Sequence, residues 1–193
     1  MFIRTVRFLL RPCWPEDRHE MLAVINGGSL APNVPALPSP LTAEDAQRFI
    51  DRPNDKLLPH FFITLPNPRG GEMIGGIGLG RDGDEVGLGY WIVKQHRGHG
   101  YGPEAITAVL TMARTLGHKR VIASHSPESP SSGLILESVG FRPTTEVHSR
   151  LEKLHTGDTP PKTYTFDLSA TLGVDDQAAR TIVRHPPDLG SAL

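Results

Sequence analysis

Polar and apolar residues alternate from Arg4 to Pro12, which predicts a strand, and PEDRHEMLAVI after it carries acidic residues early and apolar ones at helical spacing, which predicts a helix. Gly27 to Leu41 is crowded with Gly and Pro and reads as a long surface excursion before a short helix that starts near Thr42. Three β-type runs follow, HFFITL, EMIGGIGLG and EVGLGYWIV, and the turn signal RDGD between the last two predicts an antiparallel meander. A helix comes next, with Pro103 as its first residue and Ile106, Val109, Leu110, Ala113 and Leu116 forming its apolar stripe. RVIASHS reads as a strand, SPSSGLILESVG as a short helix closed by Gly140, and FRPTTEVHSRLEK and PKTYTFDLS as final strands. From Thr171 the chain is polar, with room for a helix in DDQAARTIV. The pattern contains no internal repeat. It predicts one domain over residues 1–170 and a peripheral C-terminal extension over 171–193.

Composition removes several function classes. Lys+Arg 20 against Asp+Glu 21 leaves a formal net charge of -1, so no global positive field draws the chain to nucleic acid or anionic lipid. Neither is expected as a partner. Cys13 is the single cysteine, which excludes a disulfide within the chain and suits a reducing cytoplasm; as a small buried hydrophobe it needs no chemistry. The apolar run in MFIRTVRFLL is too short for a signal-peptide core, and no later run reaches bilayer length.

The chemistry points to QHRGHGYGPEA, Gln95 to Ala105, which lies between a strand and a helix. Gly98, Gly100 and Gly102 lack Cβ atoms, so they admit positive φ and let a ligand approach the backbone, while unpaired N–H groups at the helix start attract anions. A pyrophosphate is the obvious guest, and glycine spacing alone leaves an ordinary turn equally open. GLGRDG, Gly78 to Gly83, has the spacing of a dinucleotide fingerprint but leads into a strand, which refutes that reading. His96 and His99 form only a loose pair without an evident third ligand, so no metal is expected. No Gly-x-Ser-x-Gly elbow supports a hydrolase.

The order of GYWIVKQHRGHGYGPEA and HSPESPSSGLILESVGF resembles the GNAT superfamily of acyl-CoA-dependent N-acetyltransferases. Gln95, Gly98 and Gly100 occupy the defining positions of its Gln/Arg-x-x-Gly-x-Gly/Ala motif. The flanking Gly-Tyr-Trp and Gly-Tyr-Gly-x-Glu-Ala look like the RimJ/RimL-type branch, which includes acetyltransferases of ribosomal-protein N-termini. RFLLRPCWPED, LTAEDAQRFI and the GGIGL strand extend the likeness to residues 4–169.

The resemblance implies an α/β (α+β) fold: a mixed, mostly antiparallel twisted sheet with helices on both faces, its fourth and fifth strands splayed. Acetyl-CoA is the implied cosubstrate, with no metal. The backbone around Ile92 and Val93 would hold the pantetheine arm. Backbone N–H groups from Arg97 through Gly98, His99, Gly100 and Tyr101 to Gly102 would cradle the pyrophosphate, with Arg97 or His96 adding charge. Ser129 stands where the family usually has Asn, and as a residue before Pro130 it also reads as a helix cap. Ser132 matches the later family serine and could serve the departing thiolate, with capping a comparable reading. His125 and Glu128 are candidate bases, with strand-end surface exposure the other reading and the favoured one for Glu128; His60 and Glu85 are weaker, because sequence alone does not set strand orientation. The acceptor would be a primary amine of a peptide N-terminus or small molecule; a homodimer is left open. Two alternatives stand beside the enzyme: a noncatalytic acyl-CoA-binding or sensor domain and, ranked last, a nucleotide-binding module.

Overall fold

The computed structural model describes residues 1–29, 40–52, 55–68, 70–125, 129–145 and 160–169. Its strands are β1 (Ile3–Arg4), β2 (Leu9–Arg11), β3 (His60–Asn67), β4 (Gly70–Asp82), β5 (Glu85–Ile92), β6 (Arg120–His125), β7 (Arg142–Thr144) and β8 (Lys162–Asp167). Four α-helices join them: α1 (Arg18–Val24), α2 (Ala43–Ile50), α3 (Tyr101–Thr115) and α4 (Pro130–Ser138). All strands belong to one sheet in the order β1-β2-β3-β4-β5-β6-β8-β7, antiparallel except between β5 and β6.

The strand predicted over Arg4 to Pro12 is instead a hairpin of two short strands. Thr5 bends the chain: its Oγ1 accepts the Phe8 N–H at 3.1 Å and donates to the Phe8 carbonyl at 2.9 Å. A side-chain turn of this kind needs no Gly or Pro, so the pattern did not signal it. The meander β3-β4-β5 is as predicted. The helix expected near Thr42 starts there because the Thr42 Oγ1 accepts the Asp45 N–H while the Asp45 carboxylate accepts the Thr42 N–H, each at 3.1 Å. Helix α3 begins at Tyr101, two residues before the predicted Pro103. The missing proline N–H is harmless anywhere in a first turn, so Pro103 does not fix the start.

Register assigns the two faces of the sheet. Phe62, Gly76 and Trp91 lie opposite one another across β3, β4 and β5 and so share a face, and Phe49 of α2 packs on that face, its ring 6.0 Å from that of Phe62. Tyr90 points to the other face, where it meets Gly102 of α3. Phe62, Ile63, Met73, Ile74, Met21, Ile106 and Val121 are fully buried between these layers. One ion pair is also inside. Arg11 grips Asp17 in a fork, Nη1 to Oδ2 at 2.7 Å and Nη2 to Oδ1 at 2.6 Å, and Asp17 Oδ2 also accepts the Trp14 N–H at 2.7 Å. Beside it, burial followed by the Asp17 charge pushes the Cys13 thiol up to about 12, which keeps it protonated and inert.

Strands β5 and β6 pair only at Gly87 with Ile122 and Leu88 with Ala123. Beyond Leu88 they part, so among the described residues Gly89 to Ile92 has no strand partner on that side. The splayed pair is thus the fifth and sixth in the chain, because the N-terminal hairpin adds one strand to the expected count. Residues 30–39 of the Pro-rich excursion, the predicted strand beyond Thr145 up to Lys153, and the extension from Thr171 with its DDQAARTIV segment lie outside the described residues.

Candidate functional site

The glycine loop leaves β5 through a single 3-10 turn, Lys94–His96, closed by the His96 N–H on the Val93 carbonyl at 2.9 Å. Gly98 and Gly100 both have φ of 77°, a left-handed backbone that favours glycine. That pair of reversals brings the chain into α3, whose first satisfied N–H is that of Glu104 on the Gly100 carbonyl at 3.4 Å. The N–H groups of Gly98, His99, Gly100, Tyr101 and Gly102 take no acceptor among the described residues. Summed with the helix dipole, they make a patch of partial positive charge. Gly98 faces open space, whereas Gly102 is buried, 3.5 Å from Tyr90 at its Cβ position.

Side chains of the loop turn away from this patch. The Arg97 Nε donates to the Ile92 carbonyl at 2.9 Å, which braces the loop against the end of β5. His96 Nε2 lies 3.0 Å from Glu72 Oε1, and Gln95 Nε2 reaches the same oxygen at 3.5 Å. His99 stacks on Tyr101, ring centroids 5.9 Å apart. The Tyr101 ring lies near both histidines, 6.2 Å from His96 and 5.9 Å from His99, and among the described residues no three His, Cys, Asp or Glu side chains converge on a common point. Val93 has its N–H on the Ile74 carbonyl at 2.9 Å and its carbonyl on His96, so it is closed off. Among the described residues, the backbone edge without a strand partner on the β6 side runs from Gly89 to Ile92.

Ser129 sits at the cap position of α4, but it caps with its carbonyl, which accepts the Ser132 N–H at 3.0 Å. Its hydroxyl is instead 3.0 Å from the Ser132 hydroxyl. Ser132 lies in the first turn and is not a cap. The Tyr90 hydroxyl is buried without a closed hydrogen bond, and burial raises its pKa while the neighbouring Ser132 hydroxyl opposes that rise. The Ser132 hydroxyl thus lies between those of Ser129 and Tyr90. A buried hydroxyl left unmatched is costly, and its presence beside the strand gap suits a site that completes its hydrogen bonds with a ligand.

His125 ends β6 and is buried, its Nε2 3.4 Å from the Tyr164 hydroxyl, which donates to Glu137 Oε1 at 3.3 Å. Gly133 allows α4 to lie on this pair: a Cβ there would come within 2.7 Å of His125 Nε2 and 2.8 Å of the Tyr164 hydroxyl. Burial, then the Glu137 charge, raises the Tyr164 pKa. Glu128 lies outside the described residues. His60 packs on Phe49, and burial followed by the Arg52 charge lowers its pKa, while Glu85 is held by Arg120.

Two residues near the site were given no role in the sequence reading. Arg7, in the N-terminal turn, contacts the loop from 92 residues away, and no local pattern predicts such a contact. Tyr90 was hidden within an apolar strand, although period-two alternation alone sets it opposite Trp91.

A sheet opened between parallel neighbours, with a glycine loop and helix start at the open end, defines the acyl-CoA-binding N-acyltransferase class of folds. The family model described as Acetyltransferase (GNAT) domain matches residues 7–142. The chain belongs to the GNAT acetyltransferase family. No curated protein sequence matches it. Among solved structures it resembles a GNAT-family acetyltransferase from Bacillus anthracis, with TM-score 0.69, 20% identity, and coverage of 88% of this chain and 100% of that one. The ribosomal-protein-S5-alanine acetyltransferase from Vibrio fischeri superposes with TM-score 0.69 at 17% identity, covering 88% and 97%. The microcin C7 self-immunity acetyltransferase MccE, solved with acetyl-CoA and AMP, gives 0.67 at 15%, covering 84% and 93%. At these identities the likeness is one of fold. No helix among the described residues is long and apolar enough to cross a membrane.

Proposed function

We propose that the protein transfers acetyl from acetyl-CoA directly to a primary amine, of a peptide N-terminus or a small molecule, in the manner of the RimJ/RimL-type branch. The observation that carries this reading is the row of unengaged N–H groups from Gly98 to Gly102 beside the open edge of β5. The first is shaped for a diphosphate, and the second offers backbone hydrogen bonds to an amide-bearing arm. Acetyl-CoA supplies an acyl group already activated as a thioester.

The chain's own residues orient and discharge the reaction. A neutral amine attacks the acyl carbon, the C–N bond forms as the C–S bond breaks, and the departing sulfur takes up a proton. Ser132, backed by Ser129 and Tyr90, is the hydroxyl assigned to that sulfur. An α-amine, with unperturbed pKa about 7.7–8.0, needs little help in losing its proton. His125 and Glu128 stay the proposed aids to that loss. The amine's approach is assigned to the α2 side, where Gly89 leaves the first residue of the open β5 edge without a side chain and nothing lies within 4 Å of its Cβ position.

Calorimetric titration with acetyl-CoA, with CoA and ADP as comparison ligands, tests the site. Binding of acetyl-CoA well above ADP supports it, and an amine and peptide screen for acetylated product then separates catalysis from mere binding; absent binding of acetyl-CoA discards the reading. In that assay Ser132→Ala is expected to lower kcat about tenfold or more, with acetyl-CoA affinity within about twofold, because one proton-handling group is lost and no part of the diphosphate cradle is touched. Unchanged turnover would reduce Ser132 to a helix residue.

A further inference from the structure

Arg7 stands in the turn between β1 and β2 and reaches across to the start of α3. Its backbone N–H and Nε both donate to the Glu104 carboxylate, at 3.2 Å and 2.6 Å. Its Nη1 donates to the His99 carbonyl at 2.6 Å, and the guanidinium lies 4.5 Å above the Tyr101 ring. The third limb, Nη2, has no acceptor among the described residues and sits 3.4 Å from the Cβ position of Gly100. Glu104 is awkward where it stands. Aspartate or glutamate suits a helix start when nothing else is there, but next to an anion cradle its charge repels the guest. Partial burial works against its ionisation, yet the hydrogen bonds from Arg7 lead the opposing causes and its pKa is lowered, so it is charged.

We propose that Arg7 is the side-chain arm of the anion site: it cancels the Glu104 charge at the helix start, fixes the loop through His99, and presents Nη2 beside Gly100 to a phosphate oxygen of the ligand. This rests on the diphosphate reading of the glycine loop. A planar guanidinium is the group required, since only a fork can hold the carboxylate and the loop carbonyl and still have a limb to offer.

The test measures acetyl-CoA and ADP affinity for the wild type, Arg7→Gln, Glu104→Gln and the double variant, with circular dichroism to confirm folding. Arg7→Gln is expected to weaken both ligands by a similar factor, about tenfold to a hundredfold, as for a lost hydrogen bond to a charged group. Adding Glu104→Gln should regain several-fold of that loss, because the exposed repulsion goes with the carboxylate. A strut that only shapes the loop gives no such recovery, since the double variant has lost both ends of the brace, and that result overturns the proposal. So does an Arg7→Gln protein that binds as the wild type does, or one weakened for acetyl-CoA alone. A wild type that binds no acetyl-CoA fails at the earlier step and takes both readings down together.

Discussion

Gly100→Asp should weaken acetyl-CoA binding about a hundredfold or more while leaving a folded protein. Three effects add. Gly100 has φ of 77°, where a residue with a Cβ carries a backbone cost of about 1–2 kcal/mol. The new Cβ would sit 3.4 Å from Arg7 Nη2, close enough for the carboxylate beyond it to engage the guanidinium. Most of the effect comes from charge, because an anion placed among the N–H groups from Gly98 to Gly102 occupies and repels the position a diphosphate needs. Gly100→Asn separates these terms: it carries nearly the same volume and backbone cost without the charge, and should lose far less affinity. Calorimetry on both variants checks the ordering. Equal losses would make the loop's conformation, and not its field, the binding determinant; no loss in either would remove the loop from the site.

Asp17→Ala should cost about 3–5 kcal/mol of folding stability, read as a lower urea midpoint at unchanged m-value. The Arg11 and Asp17 side chains are 9% and 7% exposed, so the substitution leaves a guanidinium buried against Trp14 and Phe62 without its counter-charge. It also strips the Trp14 N–H of its acceptor. Against a total stability of roughly 5–15 kcal/mol this is a large fraction. The companion Arg11→Met/Asp17→Leu should recover much of it, because the penalty belongs to the unpaired charge more than to the pair's net worth. If Asp17→Ala unfolds at the wild-type midpoint, the pair is not the buried anchor of the N-terminal turn.

These two sites also mark how far the sequence could be read. The β-type runs HFFITL, EMIGGIGLG and EVGLGYWIV and the RDGD turn were enough for the meander, since adjacent strands and a tight turn are local facts. The strand-loop-helix order around Gly98 and Gly100 was legible for the same reason. The Arg11 fork and the Arg7 arm were not: each depends on which surfaces the finished fold brings together, and a single charged residue carries no mark of a distant partner. The hairpin at Thr5 was missed because the bend is made by a side-chain hydroxyl that period-two patterns ignore. Ser129 read as a cap by residue type, and it does hold the cap position, but its hydroxyl prefers Ser132 to the backbone.

The join of β5 to β6 at two residue pairs leaves five of the described strands on one side of the sheet and three on the other. On the proposed reading, an amide-bearing ligand in the gap supplies the missing rungs, so the substrate is also a fastener. A ligand bound only by the folded form adds about 2.7 kcal/mol when present at a hundred times its Kd. On that reading, saturating acetyl-CoA is expected to slow proteolysis of the protein, the seam between the halves being the part it closes.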